Sequence, residues 1–81
     1  MNLLTKKYLR FDEIPNPGKK TQIFTVRHTD NLTLLGEIKW WGAWRKYCFF
    51  PAPDCLYDRN CLRDVIDYID QLMNERKENK F

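Results

Sequence analysis

Residues 34–51 read LLGEIKWWGAWRKYCFFP, and the fold turns on how this stretch pairs with itself. Two runs rich in β-branched and aromatic residues flank Gly42-Ala43, and such runs read as strands. The third strand spans about 34–41 and the fourth about 44–50. A two-residue link suits a tight hairpin, with glycine at the first central position permitting a type II′ turn. That register sets Trp41 opposite Trp44, Trp40 opposite Arg45, Lys39 opposite Lys46 and Ile38 opposite Tyr47. Side chains alternate between faces, so Leu34, Ile38, Tyr47 and Phe49 share one face with Trp40 and Arg45. Glu37, Lys39, Trp41, Trp44, Lys46, Cys48 and Phe50 share the other. A one-residue slip would exchange the two sets.

Outward from the hairpin, residues 21–29, TQIFTVRHT, read as a second strand, and Asp30-Asn31 favours a turn after it. Residues 4–14 alternate imperfectly, with Leu4, Leu9, Phe11 and Ile14 apolar, and supply a first strand. Asn16-Pro17-Gly18 between these strands suits a type II turn: proline pre-sets φ at its second position and glycine accepts positive φ at its third. Pro51-Ala52-Pro53 stops the fourth strand, because neither proline has an amide to donate. A helix follows, with Asp58 or Asn60 as its N-cap. Leu62, Val65, Ile66, Ile69, Leu72 and Met73 recur at helical spacing and form one apolar stripe. Arg76, Lys77 and Lys80 near its end suit the helix dipole. The pattern is ββββα: an α+β fold with a four-stranded antiparallel meander and one C-terminal helix on one face.

The chain has 81 residues, which implies one small domain over 1–81. Hydrophobic residues make up 43% and aromatic residues 15%, enough for a single core built on large rings. Net charge is +3, but residues 1–53 hold nine Lys/Arg against four Asp/Glu, and residues 54–81 hold five against seven. The halves therefore carry +5 and −2, and the positive field belongs to the first. Three cysteines, Cys48, Cys55 and Cys61, make an odd number. The stretch MNLLTKKYLRFDE has no apolar core of a secretory signal, so reduced thiols in the cytoplasm are expected. No apolar run approaches the roughly 20 residues of a membrane-spanning helix.

The candidate site lies on the hairpin. Residues 34–51 hold all three tryptophans and six of the twelve aromatic residues, with Lys39, Arg45 and Lys46 against one acid, Glu37. Stacking of a base on such a ring is worth roughly 1–3 kcal/mol and tolerates any base. Arg45 can grip phosphate with a planar fork, and Lys39 and Lys46 add point charges. The expected ligand surface is Trp40, Trp41, Trp44, Arg45, Lys39, Lys46 and Tyr47, taking an anionic nucleotide or single-stranded nucleic acid. Lys6, Lys7, Arg10, Lys19 and Lys20 would guide an anion toward it, or simply solubilise an edge strand. The plainer alternative puts Trp40 and Tyr47 in the core, with Arg45 stacked on Trp40 as a cation–π pair. The same Trp, Tyr and Arg composition also marks protein–protein hot spots. A host protein, or a second copy of the chain in a homo-oligomer, is thus the other class of partner.

Catalytic and metal readings have little support. One histidine is present, and the spacing of Cys55 and Cys61 is not that of a zinc site. Cys61 at the helix start is either a thiol activated by the dipole or a small buried hydrophobe. Asp64, Asp67 and Asp70 are three residues apart, which is a solvated helix flank. No nucleophile motif or phosphate-cradling loop is found. The expectation is a protein that is not an enzyme and needs no cofactor or metal.

The stretch LGEIKWWGAWRKYCFFP, with Cys61-Leu62 opening a helix, resembles a family of short proteins of bacteriophages and prophage-like islands. Their pattern is close to LGxIxWxxxWRxYxFxP followed by a Cys-Leu helix, and the likeness covers roughly residues 22–72. Trp40, Trp44, Arg45, Tyr47 and Phe49 fit it. The resemblance implies a small phage-type protein in the host cytoplasm and transfers no catalytic residue. Among phage proteins of this size, inhibitors and ligand sponges acting on host systems are common, which sets the functional expectation.

Overall fold

The computed structural model describes residues 8–78, with side chains through Arg76. Leu4, Lys6, Lys7 and Lys80 lie outside the described residues. Strands β1 (Leu9–Ile14), β2 (Ile23–His28), β3 (Leu34–Trp41) and β4 (Lys46–Pro51) form one antiparallel sheet in the order β1-β2-β3-β4. Helix α1 (Arg59–Glu78) follows and covers one face. The ββββα meander expected from the sequence is the observed α+β fold.

The first turn is as the residues dictate. Gly18 sits at φ 77°, and Lys19 N–H donates to the Asn16 carbonyl at 3.3 Å. The last hairpin differs from expectation. Gly42 does not adopt positive φ; Arg45 does, at 56°. Four residues, 42–45, make the loop, and Arg45 N–H reaches back to the Trp41 carbonyl at 2.9 Å. The register moves by two: Trp41 faces Lys46, Trp40 faces Tyr47, Lys39 faces Cys48 and Ile38 faces Phe49. A two-residue shift preserves face parity, so Ile38, Trp40, Tyr47 and Phe49 still share the helix side. Lys39 and Lys46 are no longer opposed, and the repulsion expected between them does not arise. Trp44 and Arg45 leave the ladder altogether.

A second departure lies at the start of β3. Val26 pairs with Gly36 and Arg27 with Leu34, leaving Leu35 as an extra, bulged residue. The bulge turns Leu35 into the core, 8% exposed, and leaves Leu34 outside at 36%. The Leu35 carbonyl then accepts from Ala52 N–H at 2.8 Å and from the Tyr57 hydroxyl. Gly36 sits beside it with no room to spare. A Cβ there would lie 2.6 Å from the Phe50 carbonyl oxygen and 2.7 Å from the Phe49 ring.

Leu9, Val26 and Ile38 are fully buried at the centre of the sheet's inner face. Full burial of each such side chain is worth about 1.5–3 kcal/mol. The helix meets them with Val65, Tyr68 and Leu72, flanked by half-buried Cys61, Ile69 and Met73. Tyr68 stacks on Phe11 with centroids 4.2 Å apart and meets Phe24 edge-on at 5.1 Å. This corrects the expected stripe: Leu62 and Ile66 point to solvent, and Cys61 and Tyr68 take the inner positions. A half-turn of periodicity cannot separate the two settings, because a tyrosine counts as polar in the pattern yet stacks well. Asp58 is the N-cap, its carboxylate accepting the Cys61 N–H at 2.8 Å. That bond holds the Asp58 carboxyl below its ordinary value.

Two outcomes follow from this packing. Gly36→Ala lowers unfolding free energy by about 1–3 kcal/mol in urea titration, since the obstructing atom is backbone and the core is already full. The Asp58 carboxylate is favoured in the native state, so its contribution is complete above the ordinary value of 3.8 and fades as pH falls through the lower native value. Asp58→Asn keeps a capping acceptor but does not titrate. Its urea midpoint falls less steeply than the parent's over that acid range.

Candidate functional site

The sheet divides the cluster that the sequence had grouped together. Trp40 and Tyr47 face α1, while Lys39, Trp41 and Lys46 lie on the opposite, open face. On that open face Lys39 is already engaged: its Nζ lies 4.7 Å over the Phe50 ring and 3.7 Å from a Glu37 oxygen. Trp41 meets Phe50 edge-on at 6.1 Å and remains 45% exposed. Trp44, on the hairpin loop, is 67% exposed. Indole surface is thus reachable from solvent, though not in one place.

The other half of the cluster forms a cleft. Where the tip of the β3–β4 hairpin meets the last turns of α1, a partly open hollow of about 720 Å³ is lined by Trp40, Tyr47, Gln22, Lys20, Arg45 and Arg76, with Glu75 and Asn74 at its helix side. Its size lies within the range of about 300–1,000 Å³ typical of small-molecule sites. Trp40 and Tyr47 meet edge-on at 5.4 Å and make its aromatic wall. Tyr47 is held from three directions. Its hydroxyl oxygen accepts the Gln22 N–H at 3.1 Å, its own N–H donates to Met73 Sδ at 3.5 Å, and its ring is buried.

The cation over Trp40 is Arg76, not Arg45, with its guanidinium carbon 4.1 Å from the ring centroid. The reason is the longer loop, which carries Arg45 past Trp40 to the rim. Among the described residues Lys20 and Arg45 have no ion-pair partner. Three cations and one acid therefore border the cleft. Arg45 also holds a left-handed backbone that costs an L-residue about 1–2 kcal/mol and that glycine would take freely.

Of the expected surface, Trp40, Arg45 and Tyr47 come together, and Lys39, Trp41, Trp44 and Lys46 do not. Sequence reading assigned Arg76 only to the helix dipole and passed over Gln22 and Glu75. Their position depends on where the helix end lands, which no local pattern encodes.

Groups with chemical potential elsewhere are quiet. Burial pushes the Cys61 thiol up, with its hydrogen bond to Asp58 adding to the effect, which favours the small buried hydrophobe over the dipole-activated thiol. The Tyr68 hydroxyl is pushed up to about 12, first by burial and then by Glu13, Glu75 and Asp12. Cys48, Cys55 and Cys61 are free thiols. Among the described residues no three His, Cys, Asp or Glu side chains converge on a metal-sized site. No described helix is long and apolar enough to cross a membrane.

The chain is 41% identical over 78 residues, 96% of its length, to the whole of a protein of Acholeplasma phage L2 described as an uncharacterized 9.3 kDa protein. No protein-family model and no solved structure matches it. Identity at that level over 96% of this chain and the whole of the other shows common descent, and this protein belongs to the phage protein family of that 9.3 kDa relative.

Proposed function

We propose that the protein is a non-enzymatic phage-type binding module of the host cytoplasm that takes an anionic nucleotide into the cleft between the hairpin and α1. The nucleotide is either free, as in a host-defence signal removed by sequestration, or the end of a single strand. The observation that carries this reading is the clustering of Lys20, Arg45 and Arg76 around the Trp40–Tyr47 wall. Phosphate is the ligand group that satisfies several cations at once, and an aromatic wall suits a base.

The energetics favour an exchange at Trp40. A cation–π contact near the surface is worth about 0.5–1 kcal/mol, and base stacking about 1–3 kcal/mol. A base can therefore displace the Arg76 guanidinium from the ring. The displaced guanidinium remains beside the cleft, where it adds to the phosphate contacts of Arg45 and Lys20. Retaining arginine in a backbone conformation better suited to glycine is consistent with a task for its side chain.

A second reading has its own support. Trp41 and Trp44 point away from the cleft and stay exposed. Exposed tryptophan is the residue type enriched at interface hot spots. That surface would serve an inhibitor of a host protein or a homodimer.

Titration with mononucleotides, cyclic dinucleotides and short single-stranded oligonucleotides at low salt is expected to change tryptophan emission. Affinity should fall as salt rises. Arg45→Gly keeps the stability of the parent or gains up to about 1 kcal/mol, since the left-handed strain is relieved. It nevertheless loses roughly 10-fold or more in nucleotide affinity, the scale of one charge-assisted contact. Unchanged emission and no heat with every compound would remove the nucleotide reading. A concentration-dependent dimer in sedimentation that Trp44→Ala abolishes would establish the second.

A further inference from the structure

A second hollow of about 270 Å³, lined by residues of β1, β2 and α1, adjoins the cleft, and the two share Gln22, Leu72 and Glu75 as lining. Their charges are opposite. The first is bordered by Lys20, Arg45 and Arg76. The second is bordered by Glu13 and Glu75, with no lysine or arginine among the described residues. A ligand spanning the junction must be anionic at one end and rich in N–H donors at the other.

Glu75 stands at that junction. It is exposed, and its Oε2 accepts from Gln71 Nε2 at 3.2 Å across one helical turn. Among the described residues no cation lies within ion-pair distance of it. A carboxylate offers about four acceptor positions, so one bond from Gln71 orients the group without exhausting it. Two parallel acceptors match two parallel donors. Among the common bases only guanine presents an N–H pair of that kind, N1–H beside the 2-amino group. Adenine and cytosine set a ring acceptor next to their amino group, which the carboxylate repels. Uracil offers one N–H between two carbonyls.

We propose that the groove selects guanine nucleotides, the guanine N1–H and 2-amino group donating to the Glu75 carboxylate while the phosphate lies among Lys20, Arg45 and Arg76. This rests on the nucleotide reading of the same cleft and adds its base preference. A good bidentate base contact discriminates by roughly 10- to 100-fold.

Calorimetric titration of the parent and of Glu75→Gln with GMP, IMP, AMP, CMP and UMP tests it. The parent should bind GMP at least about 10-fold more tightly than AMP, with IMP between them because it keeps N1–H and lacks the 2-amino group. Glu75→Gln should bring the GMP-to-AMP ratio close to one while AMP affinity is kept or raised. Glu75 is an exposed helical position, so the substitution leaves the core untouched, and a matching urea midpoint checks this. Equal affinity for GMP and AMP in the parent, or a ratio unchanged in Glu75→Gln, overturns guanine selection and leaves nucleotide binding standing. No heat with any of the five overturns guanine selection, and silence of the cyclic dinucleotides and oligonucleotides as well removes the nucleotide reading.

Discussion

Tyr47 is the point at which sheet, helix and cleft are tied together. Its N–H would be an open donor on an edge strand, and Met73 on α1 covers it. Its hydroxyl oxygen takes the amide of Gln22 just before β2, and its ring buttresses Trp40. The C-terminal half of α1 is thereby laid along β4, with Arg76 above Trp40. Without that anchorage the helix would still cover Leu9, Val26 and Ile38 through Val65, Tyr68 and Leu72. The cleft, however, would have no helix wall. The helix wall of the candidate site thus depends on Tyr47, whereas the centre of the core is held by other contacts.

The sheet separates two chemistries that lie side by side in the chain. Alternation sends Trp40 toward the helix and its neighbours Lys39 and Trp41 to the open face. On the open face cation and ring satisfy each other, Lys39 over Phe50 and near Glu37. Among the described residues, two cations at the cleft remain without acidic partners, and a third rests on an indole. The proposed nucleotide site rests on that difference, positive charge left uncompensated beside an aromatic wall. The bulge at Leu35 and the bare Cα of Gly36 serve the other end of the sheet, letting Phe49 and the β4 backbone close on β3.

Much of the fold was legible because its signals are local. Pro17-Gly18 makes its turn from its own φ preferences, Pro51 and Pro53 end β4, and Asp58 caps the helix it precedes. Alternation gave the faces of Ile38, Trp40, Tyr47 and Phe49 correctly even though the hairpin register was off by two, since a slip of two leaves parity intact. The loop itself was misread because glycine in the middle of a hairpin suggests a II′ turn, whereas an i-to-i+4 bond from Arg45 to Trp41 makes a longer one. The helix stripe was misread at Leu62 and Ile66 because the flat stack of Tyr68 on Phe11 outweighs two aliphatic side chains at the margin.

Chain order alone determined the ββββα architecture, the inward set of large side chains on β3 and β4, and an excess of aromatic and cationic groups near the hairpin. Those properties follow from periods of two and 3.6 residues and from turn residues with fixed dihedral preferences. Which cation meets which ring was decided only in three dimensions. Arg76 is 36 residues from Trp40 in sequence, Lys20 lies 20 residues before it, and both converge on it through the path of the helix and the first turn. Such contacts depend on the angle at which packed layers meet, and that angle is set by the summed shapes of side chains from every element at once.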